Sequence, residues 1–278
     1  MNILYCGDSK MADGLVISAL SLRRQTHAPL NIYVLTANIK GGERDFNALP
    51  VAVTNLLEGE LQKLNPDSHV YRYDMTAQFY DDEPIANMAT LFTPYCMLRL
   101  YADLIPGLPD RLLYLDTDVI ASQDPTNFYN EDMTGHEIVG VLDYYGRWFF
   151  HSRLRVFDYL NSGVLLLNMP LIKETRLFAK ARAMCRDVKM FMPDQSALNK
   201  LARTKAIAPR RFNDQRRRHE DTVFQHFTTS FRFWPWLHTV TVKPWEVSRV
   251  HDELHLTMYD DVLNEYDRLR PALAARKQ

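Results

Sequence analysis

Short apolar runs alternate with amphipathic stretches along most of this chain. Ile3 to Cys6 is an apolar run closed by Gly7-Asp8-Ser9, the pattern of a strand that ends in a sharp turn. From Ala12 to Arg24 the positions Leu15, Val16, Ala19, Leu20 and Leu22 recur at helical spacing, and Ile32 to Leu35 reads as a second strand. Strand, helix and strand with short connections predict a right-handed crossover and a parallel sheet. Gly41 to Leu64 opens polar and closes as a helix, His69 to Asp74 alternates like a strand, and Thr93 to Leu104 is a helical pattern. Arg111 to Ile120 then reads as a buried strand that delivers Asp116 and Asp118 to its carboxyl end. Glu137 to Asp143 is a further strand with a terminal carboxylate. Asn161-Ser162-Gly163 reads as a turn before an apolar strand to Asn168. Helical patterns are expected from Leu171 to Val188 and again from Asp194 to Leu201, with Asp194 placed to cap the latter.

Composition narrows the class. With 278 residues and 46% apolar content the chain can bury a sizeable core. Lys and Arg number 33 against 34 acids, so bulk charge argues against a nucleic-acid partner. Three scattered cysteines, Cys6, Cys96 and Cys185, fit neither a disulfide framework nor a zinc site and imply a reducing compartment. No signal peptide and no apolar stretch long enough to span a bilayer is read, so a cytoplasmic location is expected. The basic end, Arg268 to Gln278, reads as a frayed, solvated tail that at most touches a membrane surface. Residues 1–250 are expected to form one α/β domain with a mainly parallel central sheet flanked by helices, and residues 251–278 a C-terminal helical tail.

The candidate chemistry begins at Asp116-Thr117-Asp118. Residues two apart on an extended chain point to one side, so both carboxylates can face one cation, and hard oxygen donors suit Mg2+ or Mn2+. Turns and helix caps produce the same short pattern, so the rest of the chain must decide. Arg99 sits among Met97, Leu98, Leu100 and Tyr101 and needs a partner if buried: a structural carboxylate, or a phosphate near the metal. Phe227, Phe231, Phe233, Trp234, Trp236 and Trp245 crowd the last third, where core packing and stacking on a ligand are both open readings. A haloacid-dehalogenase-type phosphatase also follows an apolar strand with Asp-x-Asp. It wants Thr or Val where this chain has Ile120, and places the motif near the start of its domain.

Taken in order, Asp8, Arg99, Asp116-Thr117-Asp118, Asp143, Asn161-Ser162-Gly163, Asp194-Gln195, His226-Phe227 and Lys243-Pro244-Trp245 resemble glycosyltransferase family 8, the retaining nucleotide-sugar transferases. The resemblance runs from residue 1 to about 245 and implies a GT-A fold, Rossmann-like, with a metal-dependent UDP-sugar site. It implies that Asp116, Asp118 and His226 ligate Mn2+ or Mg2+, that Asp8 and Thr117 belong to the nucleotide pocket, and that Lys243 meets the diphosphate. Arg99, Asp143, Asn161, Asp194 and Gln195 are implied around the donor sugar, with Gln195 beside the anomeric carbon. The implied partners are UDP-glucose or UDP-galactose and a glycan, glycolipid or glycoprotein acceptor; a non-catalytic UDP-sugar-binding protein is the alternative. Two departures stand out: Lys10 replaces a common polar amide, and His226 and Lys243 are 17 residues apart where relatives keep them close. Either Thr228 to Leu237 is an insertion, or His238 is the ligand in place of His226.

Overall fold

The computed structural model describes residues 1–40, 45–89, 93–144, 158–215, 217–228, 230–232 and 238–277, with the backbone alone for 230–232 and 238–240. In chain order the strands are β1 (Asn2–Cys6), β2 (Asn31–Thr36), β3 (Ile39–Lys40), β4 (Asp45–Phe46), β5 (His69–Asp74), β6 (Arg111–Leu115), β7 (Val119–Ala121), β8 (Ile138–Leu142), β9 (Leu160–Asn168), β10 (Lys205–Ile207), β11 (Phe224–His226), β12 (Ser230–Arg232) and β13 (His238–Val240). The helices are α1 (Ala12–Gln25), α2 (Val51–Gln62), α3 (Thr76–Asp81), α4 (Thr126–Tyr129), α5 (Met169–Thr175), α6 (Leu177–Asp187), α7 (Pro193–Leu201), α8 (Val247–Asp252) and α9 (Asp260–Arg276).

Seven strands form the central sheet in the order β10-β8-β9-β6-β1-β2-β5. The pairs β1–β2, β2–β5, β1–β6 and β8–β10 are parallel. Alternation along each strand feeds two cores. Ile3, Tyr5, Ile32 and Val34 face α1 and α2, while Leu4, Leu35, Leu112 and Leu165 pack with α6, α7 and a 3-10 helix over Pro94–Leu104. Each fully buried aliphatic side chain contributes roughly 1.5–3 kcal/mol, which fixes the register of every strand that carries one.

β9 is the exception that matters for the site. It runs antiparallel to both β6 and β8, so its first residues lie beside the carboxyl ends of its neighbours. Asn161, Ser162 and Gly163, expected as a turn, are therefore strand residues at the carboxyl edge of β6 and β8. The Gly163 carbonyl accepts from Asp116 N at 2.8 Å, and Ser162 N donates to Gln195 Oε1 at 2.9 Å. Side chains and a neighbouring strand thus supply the bonds that a turn would have made locally.

The helical patterns from Leu171 to Val188 resolve into α5 and α6, separated where Arg176 takes a left-handed conformation (φ 57°). Two other expectations change. Asp194 does not cap α7, whose N-cap is Met192 with no side-chain bond; its carboxylate faces Arg99 instead. The basic end is not frayed through Arg276, because α9 docks on α1. Leu263, Tyr266 and Leu273 join the α1 core, and Tyr266 Oη donates to Asp13 Oδ1 at 2.9 Å. Among the described residues no helix is long and apolar enough to cross a membrane.

Candidate active site

The parallel order of β1 and β6 brings Asp8 and Asp116 to one sheet edge, as the strand pattern predicts. Asp116 and Asp118 converge for a different reason from the one expected. The strand stops at Leu115 and a turn follows, closed by Val119 N donating to Asp116 O at 3.2 Å. β7 then leaves the turn and pairs antiparallel with β11, with His226 opposite Val119. Asp118 and His226 are thereby neighbours across a ladder, and His226 Nε2 lies 3.2 Å from Asp118 Oδ1 and 3.7 Å from Asp116 Oδ2.

One ligand atom from each of Asp116, Asp118 and His226 lies within 4.8 Å of the others. Two carboxylates and an imidazole suit Mn2+ or Mg2+, and their orientation is fixed from behind. Asp116 Oδ1 accepts from Tyr114 Oη at 2.7 Å and from Arg99 Nη2 at 3.0 Å, which leaves Oδ2 toward the histidine. His226 Nδ1 lies 3.2 Å from Asn213 Oδ1. An amide oxygen can only accept, so Nδ1 carries the proton and Nε2 keeps its lone pair for a cation. The donor set fits the metal implied by the Asp-x-Asp pattern. Gly163 makes room for it: a Cβ there would overlap His226 Cε1 and lie 2.8 Å from Asp116 Oδ2.

Lys243 Nζ pairs with Asp118 Oδ2 and donates to Phe227 O at 3.0 Å. The 17-residue spacing from His226 is absorbed by an excursion of the chain. β12 and β13 form an antiparallel hairpin, Ser230 opposite Val240 and Arg232 opposite His238, that returns the chain close to where it left. The side chain of His238, and those of Phe231, Phe233, Trp234 and Trp236, lie outside the described residues. Phe227 is buried core, and Trp245 packs beside α1, where a Cβ on Gly14 would sit 2.6 Å from its ring and 2.5 Å from Thr117 O. Burial works against the charge of Asp118, yet the Lys243 ammonium outweighs it and holds the carboxyl well below the usual range.

Beside this charged cluster lies a network of amides. Asp143 Oδ2 accepts from Asn161 Nδ2 at 2.8 Å and from Gln195 Nε2 at 3.1 Å. Asn161 Oδ1 accepts from Gly163 N at 3.0 Å and from Asn213 Nδ2 at 2.9 Å. Arg99 links the two parts. It is buried, stacks 3.8 Å over the Tyr114 ring, bonds Ser162 O, and places Nε 3.3 Å from Asp194 Oδ2. Burial raises the Asp194 carboxyl, with Arg99 opposing. Asp8 accepts from the N–H groups of Lys10 and Met11, both at 3.0 Å, and lines a small recess with Met11 and Thr117. Burial raises its carboxyl and those two N–H groups pull it back.

The sequence reading missed Asn213 and Tyr114. Tyr114 could have been found, because it stands two residues before Asp116 and so shares its side of the strand. Asn213 is a single amide inside the basic stretch Arg210 to Arg218, and no local pattern marks it.

A parallel-rich sheet with one reversed strand, and an Asp-turn-Asp at its carboxyl edge, define the GT-A class of nucleotide-sugar transferase folds. LgtC, a galactosyltransferase solved with donor and acceptor sugar analogs, superposes with a TM-score of 0.62 over 95% of this chain and 96% of its own, at 18% identity. The bifunctional glycosyltransferase WbbM gives 0.70 over 99% of this chain and 51% of its own, at 13% identity. Residues 2–246 match the profile of glycosyl transferase family 8, and the chain belongs to that family. The lipopolysaccharide 1,2-glucosyltransferase of Escherichia coli (strain K12) is 27% identical over 223 residues, 77% of this chain and 62% of that one. "Probable galacturonosyltransferase-like 9" of Arabidopsis thaliana is 25% identical over 180 residues, 58% of this chain and 44% of that one. This chain thus spans about half the length of these curated relatives. The family leaves no place for the phosphatase alternative.

Proposed function

We propose that this chain is a metal-dependent retaining glycosyltransferase that moves glucose or galactose from its UDP-sugar to a hydroxyl of a glycan, glycolipid or glycoprotein. Residues 1–250 are its catalytic unit and residues 251–278 a helical cap. The observation that carries the reading is the convergence of Asp116, Asp118 and His226 beside the ammonium of Lys243. A divalent ion held by those three ligands supplies positive charge to the donor's diphosphate.

The chain's own groups do the rest. The bond from the anomeric carbon to the phosphate oxygen breaks with its electron pair on UDP, and Lys243 stabilises that growing charge, so no general acid is required. The acceptor oxygen bonds the same carbon from the face that UDP leaves, and its proton passes to the departing phosphate oxygen. Asp143 favours the cation-like sugar between these events. Gln195, an amide held by Ser162 N and Asp143, is a poor nucleophile and a good positioning group beside the anomeric carbon. Arg99 and Asp194 hold Asp116 and the wall of the sugar pocket, Asn161 the wall opposite, and Asp8 with Thr117 the uridine recess.

Hydrolysis of UDP-glucose, UDP-galactose and UDP-N-acetylglucosamine with Mn2+ and no acceptor tests this reading on wild type and Asp116→Asn. Slow release of UDP from one donor, abolished by the substitution and by EDTA, is expected and names the sugar. Failure of UDP to bind in the presence of Mn2+ would overturn it.

A further inference from the structure

A second polar cavity lies at the far end of the β7–β11 ladder, where the chain leaves β7 at Ser122. Its volume is ≈ 280 Å³, and its walls include Arg24, Gln25, Ser122, Arg218, Tyr259 and Asp261. That is room for about nine waters, just below the range of drug-sized ligand pockets, so a small occupant is indicated rather than a nucleotide sugar.

The charges around it are unevenly satisfied. Arg24 is engaged by Glu265, its Nη2 3.0 Å from Oε2, and by the Asp261 carbonyl. The carboxylate of Asp261 is on an exposed residue. Within the basic stretch, Arg210 is paired with Asp214 and Asp221, Arg211 lies over the Phe212 ring, and Arg217 bonds His219. Arg218 has no carboxylate partner among the described residues: its side chain hydrogen-bonds the Tyr259 phenol, and its Nε is buried with no hydrogen-bond acceptor. A desolvated guanidinium N–H without an acceptor is penalised, and an oxyanion in the cavity would remove the penalty. Hydroxyl donors are at hand. Ser122 Oγ and Tyr259 Oη are 2.8 Å apart and share one proton, so the other hydroxyl proton is free for a ligand. Burial pushes the Tyr259 phenol up to about 12, so it stays a donor at neutral pH.

We infer that this cavity is an anion site for a phosphate group, held by the Arg218 guanidinium and the Ser122–Tyr259 hydroxyl pair and separate from the metal cluster. A tetrahedral oxyanion has enough acceptor oxygens for a guanidinium and a hydroxyl together. The group could arrive as a free phosphate ester or as the headgroup of a phosphomonoester lipid.

Calorimetric titration of inorganic phosphate into metal-free wild type, Arg218→Gln, Tyr259→Phe and Lys243→Gln tests the assignment. The wild type should bind with a Kd on the order of 1 mM, the scale of one charged pair with a few hydrogen bonds. Arg218→Gln should weaken binding at least about tenfold and Tyr259→Phe about threefold, while Lys243→Gln leaves it unchanged. Flotation with vesicles of phosphatidylcholine, with and without phosphatidic acid, assigns the source: capture dependent on Arg218 supports a lipid headgroup, and no capture with intact phosphate binding supports a soluble ester. Equal binding by Arg218→Gln and wild type would overturn the proposal. So would loss of binding in Lys243→Gln alone, or no saturable binding in wild type.

Discussion

The two halves of the candidate site are held by different kinds of bond. Around Asp116, Asp118 and His226 the partners are charged: Arg99 on one carboxylate, Lys243 on the other. Around Asp143, Asn161, Asn213 and Gln195 they are amides, with one carboxylate at the centre. An ammonium beside a carboxylate can give way to another cation, whereas amides engaged at both ends move only together. The first half is built to exchange charge; the second is built to keep its shape.

The largest test of that contrast is Asp118→Asn. It should abolish Mn2+-dependent UDP binding, a loss exceeding the roughly 10–100-fold that outer partners of a metal site carry. Binding within threefold of wild type, measured by calorimetry, would break the comparison at its charged end. Gly163→Ala comes next. The added methyl meets His226 and Asp116 in the sheet interior, so UDP–Mn2+ affinity should fall about a hundredfold with intact circular dichroism. At Gly59 in α2 nothing lies within 4 Å of such a methyl, and Gly59→Ala should leave affinity alone and raise stability by about 0.5–1 kcal/mol.

Asn213→Ala removes the acceptor that fixes the histidine proton. A fall of about tenfold in Mn2+ affinity, read by electron paramagnetic resonance in the presence of UDP, is expected. Gln195→Ala sharpens the contrast from the other side: UDP–Mn2+ binding should stay within about threefold while transfer falls at least about tenfold. Equal losses in both would erase the distinction between the halves.

The smallest effect is far from both. Burial works against the charge of Glu265, and Arg23 and Arg24 outweigh it, so its carboxyl sits below the usual value. Such a group adds stability above the unfolded pKa of about 4.3 and loses it as pH falls through the folded value. Glu265→Gln should therefore lower stability by about 1 kcal/mol or less at pH 7, with the gap closing in thermal melts below about pH 4.

Much of this was legible in the chain because periodicity reports burial directly. The Arg111 run and the β1–α1–β2 unit follow from it, whereas the set of candidate site residues rests on the family resemblance. Direction is another matter. Nothing in Leu160 to Asn168 says that the strand runs backward, because its apolar pattern reads alike either way. The convergence of Asp116 and Asp118 was anticipated on a strand geometry that the chain replaces with a turn. Arg99 was seen to need a partner, but finding both Asp116 and Asp194 there requires the tertiary fold. Asn213 is a single amide whose meaning comes only from contacts far away in sequence, with Asn161 and His226.

The β12–β13 hairpin bears on how such proteins diverge. Because it leaves and rejoins the body of the protein at neighbouring points, adding one residue to each strand lengthens it without shifting Lys243. The protein thus has a segment whose size is free to drift while its chemistry stands still, and a new hairpin could be exchanged for the old one like a tool in a fixed handle.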